Sequence, residues 1–131
     1  MTDTATAAAV DNYLAAYGEA EPARRKDLIA ASFADDAHIA DPPLEAAGHD
    51  GIDDMFAAVQ QQFPGHTFRR VSAVDAHHQS ARYEWELVAG DGTISVAGTD
   101  FVRFGPDGKL VDVVGFFGPT PPLDATSGED S

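Results

Sequence analysis

The stretch from Asp91 to Gly118, DGTISVAGTDFVRFGPDGKLVDVVGFFG, decides the fold. Asp91-Gly92 is a two-residue hairpin signal, and Pro106-Asp107-Gly108 is a second turn whose glycine is free to take a positive φ. What these turns separate alternates with a period of two, so Thr93 to Phe104 and Leu110 to Phe117 read as strands of an antiparallel meander. Upstream, Ala81 to Val88 and Thr67 to Asp75 keep the same period, which makes four candidate strands after His66. In Ala81 to Val88, Tyr83, Trp85 and Leu87 share a face opposite Arg82, Glu84 and Glu86. Trp85 reads plainly as core or pocket wall, and more sharply as an aromatic dimer contact.

Before His66 the period is helical. Val10, Tyr13, Leu14 and Tyr17 form a stripe that Gly18 stops, predicting an amphipathic helix from about Thr4 to Tyr17 with Tyr17 facing inward. Pro22 suits the first turn of a second helix, whose Leu28, Ile29 and Phe33 make a short apolar face and whose Arg24, Arg25 and Lys26 read as its solvated side. His38 to Asp41 is a short extended piece stopped by Pro42 and Pro43. Asp50 is a plausible N-cap, with Asp53 three residues on, for a third helix burying Ile52, Met55, Phe56, Val59 and Phe63. Helices first and strands afterwards are the pattern of an α+β domain, here three helices over a curved antiparallel sheet. The pocket between the sheet's concave face and the helices is where function is expected.

Composition bounds the rest. With 131 residues the chain can bury a core as one domain, expected over residues 1–118, followed by an acidic, Pro-rich flexible tail over 119–131. There is no Cys, which excludes disulfides, thiolate metal sites and a cysteine nucleophile. The net charge of −14, from 22 acidic and 8 basic residues, argues against nucleic acid and anionic membranes as partners. Neither a signal peptide nor a membrane span is legible, so a cytoplasmic protein is expected. The five histidines show no ligand spacing, and no metal site is expected. No Gly-x-Ser-x-Gly turn supports a serine hydrolase, and Gly48-His49-Asp50-Gly51 is too short for a phosphate loop.

Two residues break the pattern. Asp100 falls on the apolar face of its strand with Ile94, Val96, Gly98, Val102 and Phe104. A carboxylate there needs a cation or stays protonated, because desolvation disfavours its charged form, and a protonated acid can donate a hydrogen bond. Alternatively, the strand twists at Gly98 and turns Asp100 toward solvent or Arg103. Asp41 shares a face with Ile39 at the mouth of the expected pocket. It could serve as a general base, or simply as turn chemistry before proline. Tyr17 by itself reads as a core aromatic.

Together the three carry a resemblance. Tyr17…Phe33-Ala34-Asp35-Asp36-Ala37-His38-Ile39-Ala40-Asp41-Pro42, then Gly48…Ile52…Phe56, then Asp100-Phe101-Val102-Arg103-Phe104…Asp107-Gly108-Lys109 resembles the bacterial 3-oxo-Δ5-steroid (ketosteroid) isomerases of the nuclear transport factor 2-like superfamily, which also holds the SnoaL-like polyketide cyclases. The 24-residue separation of Tyr17 and Asp41 fits that pattern. The resemblance implies a cone-shaped α+β barrel, with Asp41 as general base and Tyr17 and Asp100 as the two oxyanion-hole donors. Phe33, Phe56, Trp85, Val102 and Phe117 would contact the ligand. Phe33 and Phe56 stand where the isomerases carry supporting tyrosines, and Phe117 where a Trp commonly lines the pocket. The expected function is a cofactor-independent isomerase acting on a small hydrophobic carbonyl compound such as a 3-oxo-Δ5-steroid, in a homodimer. A non-catalytic ligand-binding protein and a cyclase- or hydrolase-type acid–base enzyme are the alternatives. An Asp-Arg-Asp relay for epoxide hydrolysis ranks lower, because alternation sends Asp100 and Arg103 to opposite faces.

Overall fold

The computed structural model describes residues 3–124. Its elements are α1 (Asp3–Tyr17), α2 (Pro22–Ser32), β1 (Phe33–Asp41), β2 (Leu44–Ala47), α3 (Gly48–Gln62), β3 (Thr67–Arg70), β4 (Asp75–His77), β5 (Ser80–Val88), β6 (Ile94–Phe104) and β7 (Leu110–Phe117). The three helices pack on one side of a curved, open sheet of order β2-β1-β7-β6-β5-β3, with β4 also paired to β5. The expected α+β class and the meander β5-β6-β7 both hold. The sheet is nevertheless mixed, because β1 runs parallel to β7. That pairing brings residues some seventy positions apart side by side, through Ala40 opposite Val114.

Four local expectations are corrected. Phe33 does not close the stripe of α2: it is that helix's C-cap, with extended dihedrals, and it opens a nine-residue β1 in place of the short piece expected from His38. Arg25 is not on a solvated side. It is buried, and its guanidinium donates to Asp53 at 2.7 Å and to the carbonyls of Glu19 and Ala20. Asp53 therefore ties α2 to α3, and the expected cap Asp50 lies inside the first turn of α3, whose N-cap is Ala47, ahead of Gly48 at φ +76°. The strand expected over Thr67 to Asp75 is interrupted. Ser72 Oγ accepts the Glu84 backbone N–H at 2.8 Å, so a side chain replaces a ladder carbonyl and the backbone leaves the sheet between β3 and β4.

The core lies between the inner sheet face and the helices. Tyr13, Phe33 and Phe56 are buried there, with Phe33 edge-on to Tyr13 at 5.3 Å between ring centroids. The Tyr17 ring is stacked between Phe56 at 4.1 Å and Phe68 at 4.2 Å, which fixes the direction of its hydroxyl. Phe101 and Phe116 pack edge to face on the outer side of the sheet, each about half exposed. Beyond β7, residues up to Asp124 are exposed, and residues 125–131 of the expected tail lie outside the described residues. Among the described residues no helix is long and apolar enough to cross a membrane.

Candidate active site

Alternation along three strands and the inward stripe of α1 deliver the site. In β6 the residues Gly98, Asp100, Val102 and Phe104 are buried, so no twist carries Asp100 outward, while Arg103 is exposed. Asp100 is 1% exposed and, among the described residues, meets no cation. Its Oδ2 accepts the Tyr83 hydroxyl at 2.7 Å and its Oδ1 the Trp85 indole N–H at 2.9 Å. Burial, and next the charge of Asp41, push its pKa up to about 7, against the pull of the hydrogen bonds from Tyr83 and Trp85.

Asp41 closes β1 on the same inner face and is 6% exposed. Its Oδ2 accepts the Tyr17 hydroxyl at 2.8 Å, whereas its Oδ1 is buried without any hydrogen-bond partner. Leaving a buried acceptor unsatisfied costs about 1–3 kcal/mol, and more when it is charged. Burial raises the Asp41 pKa, and the hydrogen bond from Tyr17 holds part of that rise back. Tyr17 and Tyr83 are both pushed upward by burial and by the neighbouring carboxylates, so both remain protonated donors near neutral pH.

Tyr17 and Asp41 stand on the wall of a cavity of about 160 Å³. Phe63, Phe68, Trp85 and Phe117 line it with aromatic rings, and Pro42, Pro43 and Gln62 also border it. The expected trio thus comes together, but unevenly: Asp41 and Tyr17 face the cavity, while Asp100 lies behind Asp41 and off its lining. Of the five expected ligand contacts, Trp85 and Phe117 are on the wall. Phe33 and Phe56 are fully buried in the core behind it, where Phe56 supports the Tyr17 ring. Val102 is also buried, and it borders a separate cleft of about 590 Å³ near Phe101. That cleft and another of about 860 Å³ are the larger hollows, but their charged linings include the surface ion pair of Arg82 and Asp75. Neither contains Asp41.

Sequence reasoning missed Phe68, and it missed that Tyr83 and Trp85 hold Asp100. The signal for the latter was present, since both aromatics share the inward face of β5 and Tyr83 pairs directly with Asp100 across the ladder.

The fold and site define a small α+β domain whose sheet and helices enclose an aromatic cavity with one buried acid at its wall and a second behind it. A model of the SnoaL-like domain matches residues 10–113, and the chain belongs to that family. Among solved structures it is similar to a SnoaL-like family protein of Agrobacterium tumefaciens C58 whose name proposes an isomerase. The two are 33% identical over 88% of this chain and 99% of that one, with a TM-score of 0.83. An NTF2-like protein from Exiguobacterium sp. 255-15 shares the fold at 20% identity over 86% of this chain and 99% of the other, TM-score 0.67. So does a protein of Sinorhizobium meliloti named as a proposed polyketide cyclase, at 16% identity, 83% and 94% coverage and TM-score 0.66. No curated protein matches the chain.

Proposed function

We propose that this SnoaL-like protein is a cofactor-independent isomerase that moves a proton along a small hydrophobic carbonyl compound. One observation carries the reading: Asp41 is a buried carboxylate on the wall of an aromatic cavity, touched by a tyrosine hydroxyl and, among the described residues, by no cation. Desolvation raises its basicity, as a general base near neutral pH requires. The Asp41 carboxylate takes a proton from the carbon beside the substrate carbonyl and returns it to a different carbon, so the reaction is balanced without a co-reactant. At rest the Tyr17 hydroxyl donates its one proton to Asp41 Oδ2, and as that carboxylate becomes protonated the hydroxyl turns to meet the charge that develops on the carbonyl oxygen. A positioned base supplies about 10²- to 10⁴-fold and one oxyanion donor about 3–4 kcal/mol, so the pair is enough for a slow isomerase.

The cavity of about 160 Å³ is well below the roughly 300 Å³ at which pockets for drug-sized ligands begin, which favours a one-ring ketone over a four-ring steroid. A homodimer through the outer sheet face belongs to the same proposal, supported by the exposed pair of Phe101 and Phe116.

The test offers the purified protein cyclohex-3-enone and a 3-oxo-Δ5-steroid in deuterium oxide. Deuterium incorporation is followed by proton NMR and conjugation by ultraviolet absorbance. The small ketone is expected to exchange and isomerise, and Asp41→Asn to slow both by about 10²- to 10⁴-fold with its unfolding transition retained. Binding of either ketone to folded wild-type protein without exchange or isomerisation overturns the enzyme and leaves a ligand-binding protein.

A further inference from the structure

We infer that Asp41 and Asp100 form one proton-sharing pair, built across the gap left by Gly115, in which Asp100 is the positioning residue that sets the ionisation of Asp41. The inference rests on the proton-transfer reading for its catalytic meaning and on geometry alone for the pair itself.

The sheet register prepares it. Tyr83 pairs with Asp100 and Asp100 with Gly115, while Ala40 sits opposite Val114, so Gly115 is the residue alongside Asp41. A single row therefore crosses β5, β6, β7 and β1 as Tyr83, Asp100, Gly115 and Asp41. Strands two apart are about 9–10 Å from each other, too far for short acids to meet over an ordinary side chain. At the intervening position there is none. A Cβ added to Gly115 would overlap Asp41 Oδ1 and stand 2.9 Å from Asp100 Oδ1, so both carboxylates lean into the space one methyl group would fill.

The remaining oxygens are already engaged. Asp41 Oδ2 holds Tyr17, Asp100 Oδ2 holds Tyr83, and Asp100 Oδ1 holds Trp85. The orphaned atom is Asp41 Oδ1, on the side of the gap. A proton on Asp100 Oδ1 is the partner it lacks. The titratable groups facing the pair are Tyr13 and Tyr17 from α1 and Tyr83 from β5, all kept neutral by burial, and α3 contributes the apolar Phe56. Among the described residues neither acid has an ion-pair partner.

Two carboxylates this close, away from water and cations, do not ionise together, and their protons leave in two steps that belong to the pair. At rest the pair holds one proton, on Asp100, with Asp41 charged. Taking the substrate's proton brings the pair to two protons, and returning it restores one. Asp100 thus never needs to touch the substrate, which accounts for its place off the cavity wall.

The test is a carbon-13 NMR titration of ligand-free protein labelled at the aspartate carboxyl carbons, with the two signals assigned through Asp41→Asn and Asp100→Asn. In wild type, each of the two resonances is expected to show both steps. In Asp41→Asn, the Asp100 step is expected to fall by about one pH unit or more as its charged neighbour is lost. Separate single-step curves in wild type overturn the pair, and so does an Asp100 step that stays in place in folded Asp41→Asn. The wild-type curves alone decide the matter if that variant does not fold. On any ketone that is turned over, Asp100→Asn is expected to remove the alkaline limb of the kcat/KM profile. Because the titration uses no substrate, its outcome is separate from whether the ketone assay succeeds.

Discussion

At the junction of α2 and α3, Asp53 is buried against the Arg25 guanidinium at 2.7 Å, whereas at the centre of the sheet Asp41 and Asp100 are buried against each other and three hydroxyl or indole donors. Both places take carboxylates out of water. At the first a cation cancels the charge, and the result is a tie between two helices. At the second nothing cancels it, and the acids rise in pKa until one of them holds a proton in the range where proton transfer is useful. The contrast separates buried charge that serves the fold from buried charge that serves chemistry, and it depends on whether a guanidinium is within reach.

The largest effect is expected at the neutralised site. Arg25→Ala leaves the Asp53 carboxylate uncompensated and should lower unfolding free energy in urea by about 3–5 kcal/mol, while the double replacement Arg25→Met with Asp53→Leu should recover most of it. Asp41→Asn, in contrast, removes a buried acid with no cation and should leave stability unchanged or higher.

A somewhat smaller effect should appear in how stability depends on pH. The folded Asp100 pKa, about 7, lies above that of the unfolded chain, so the folded state binds the extra proton. Its contribution is fully present below the ordinary carboxylate range and is lost as pH rises toward 7. Unfolding free energy should therefore fall between about pH 4 and pH 7 by roughly 3–4 kcal/mol, and Asp100→Asn should flatten that slope. Urea denaturation at a series of pH values reads both.

The smallest effect is a shift of the pH–rate profile through the hydrogen bond on Asp41, separate from the loss of about 3–4 kcal/mol in turnover that removing the oxyanion donor brings. Tyr17→Phe removes a donor that favours the charged carboxylate, so the Asp41 pKa rises further and the acid limb of the rate profile moves to higher pH. A bond of this kind is worth about 1.5–3 kcal/mol, which corresponds to roughly one to two pH units.

The turn-dependent parts of this fold were legible because their causes are local. Asp91-Gly92 and Pro106-Asp107-Gly108 set the meander, and Gly92 and Gly108 do take positive φ. The parallel pairing of β1 with β7 left no comparable mark, since it joins segments that no turn connects. Leu44 to Ala47 is four residues long and shows no clear apolar alternation, so β2 went unread. Arg25 sits in a run of three cations, and nothing near it in the chain shows that one of them is buried by an acid 28 residues away. Asp100 stood out because it violates its own strand's pattern. Its setting behind Asp41 and its two aromatic donors follow from register, and register across four strands is set by tertiary packing rather than by any one segment.

Gly98 gives the pair a reporter. The Trp85 ring lies so close over Gly98 that an added Cβ would come within 2.6 Å of it, and in that position its indole N–H reaches Asp100 while the ring also borders the cavity. Trp85 is the chain's single tryptophan. Its fluorescence is therefore an intrinsic optical readout of the site: emission should respond both to the ionisation of Asp100 and to a ketone entering beside the ring, with no label attached.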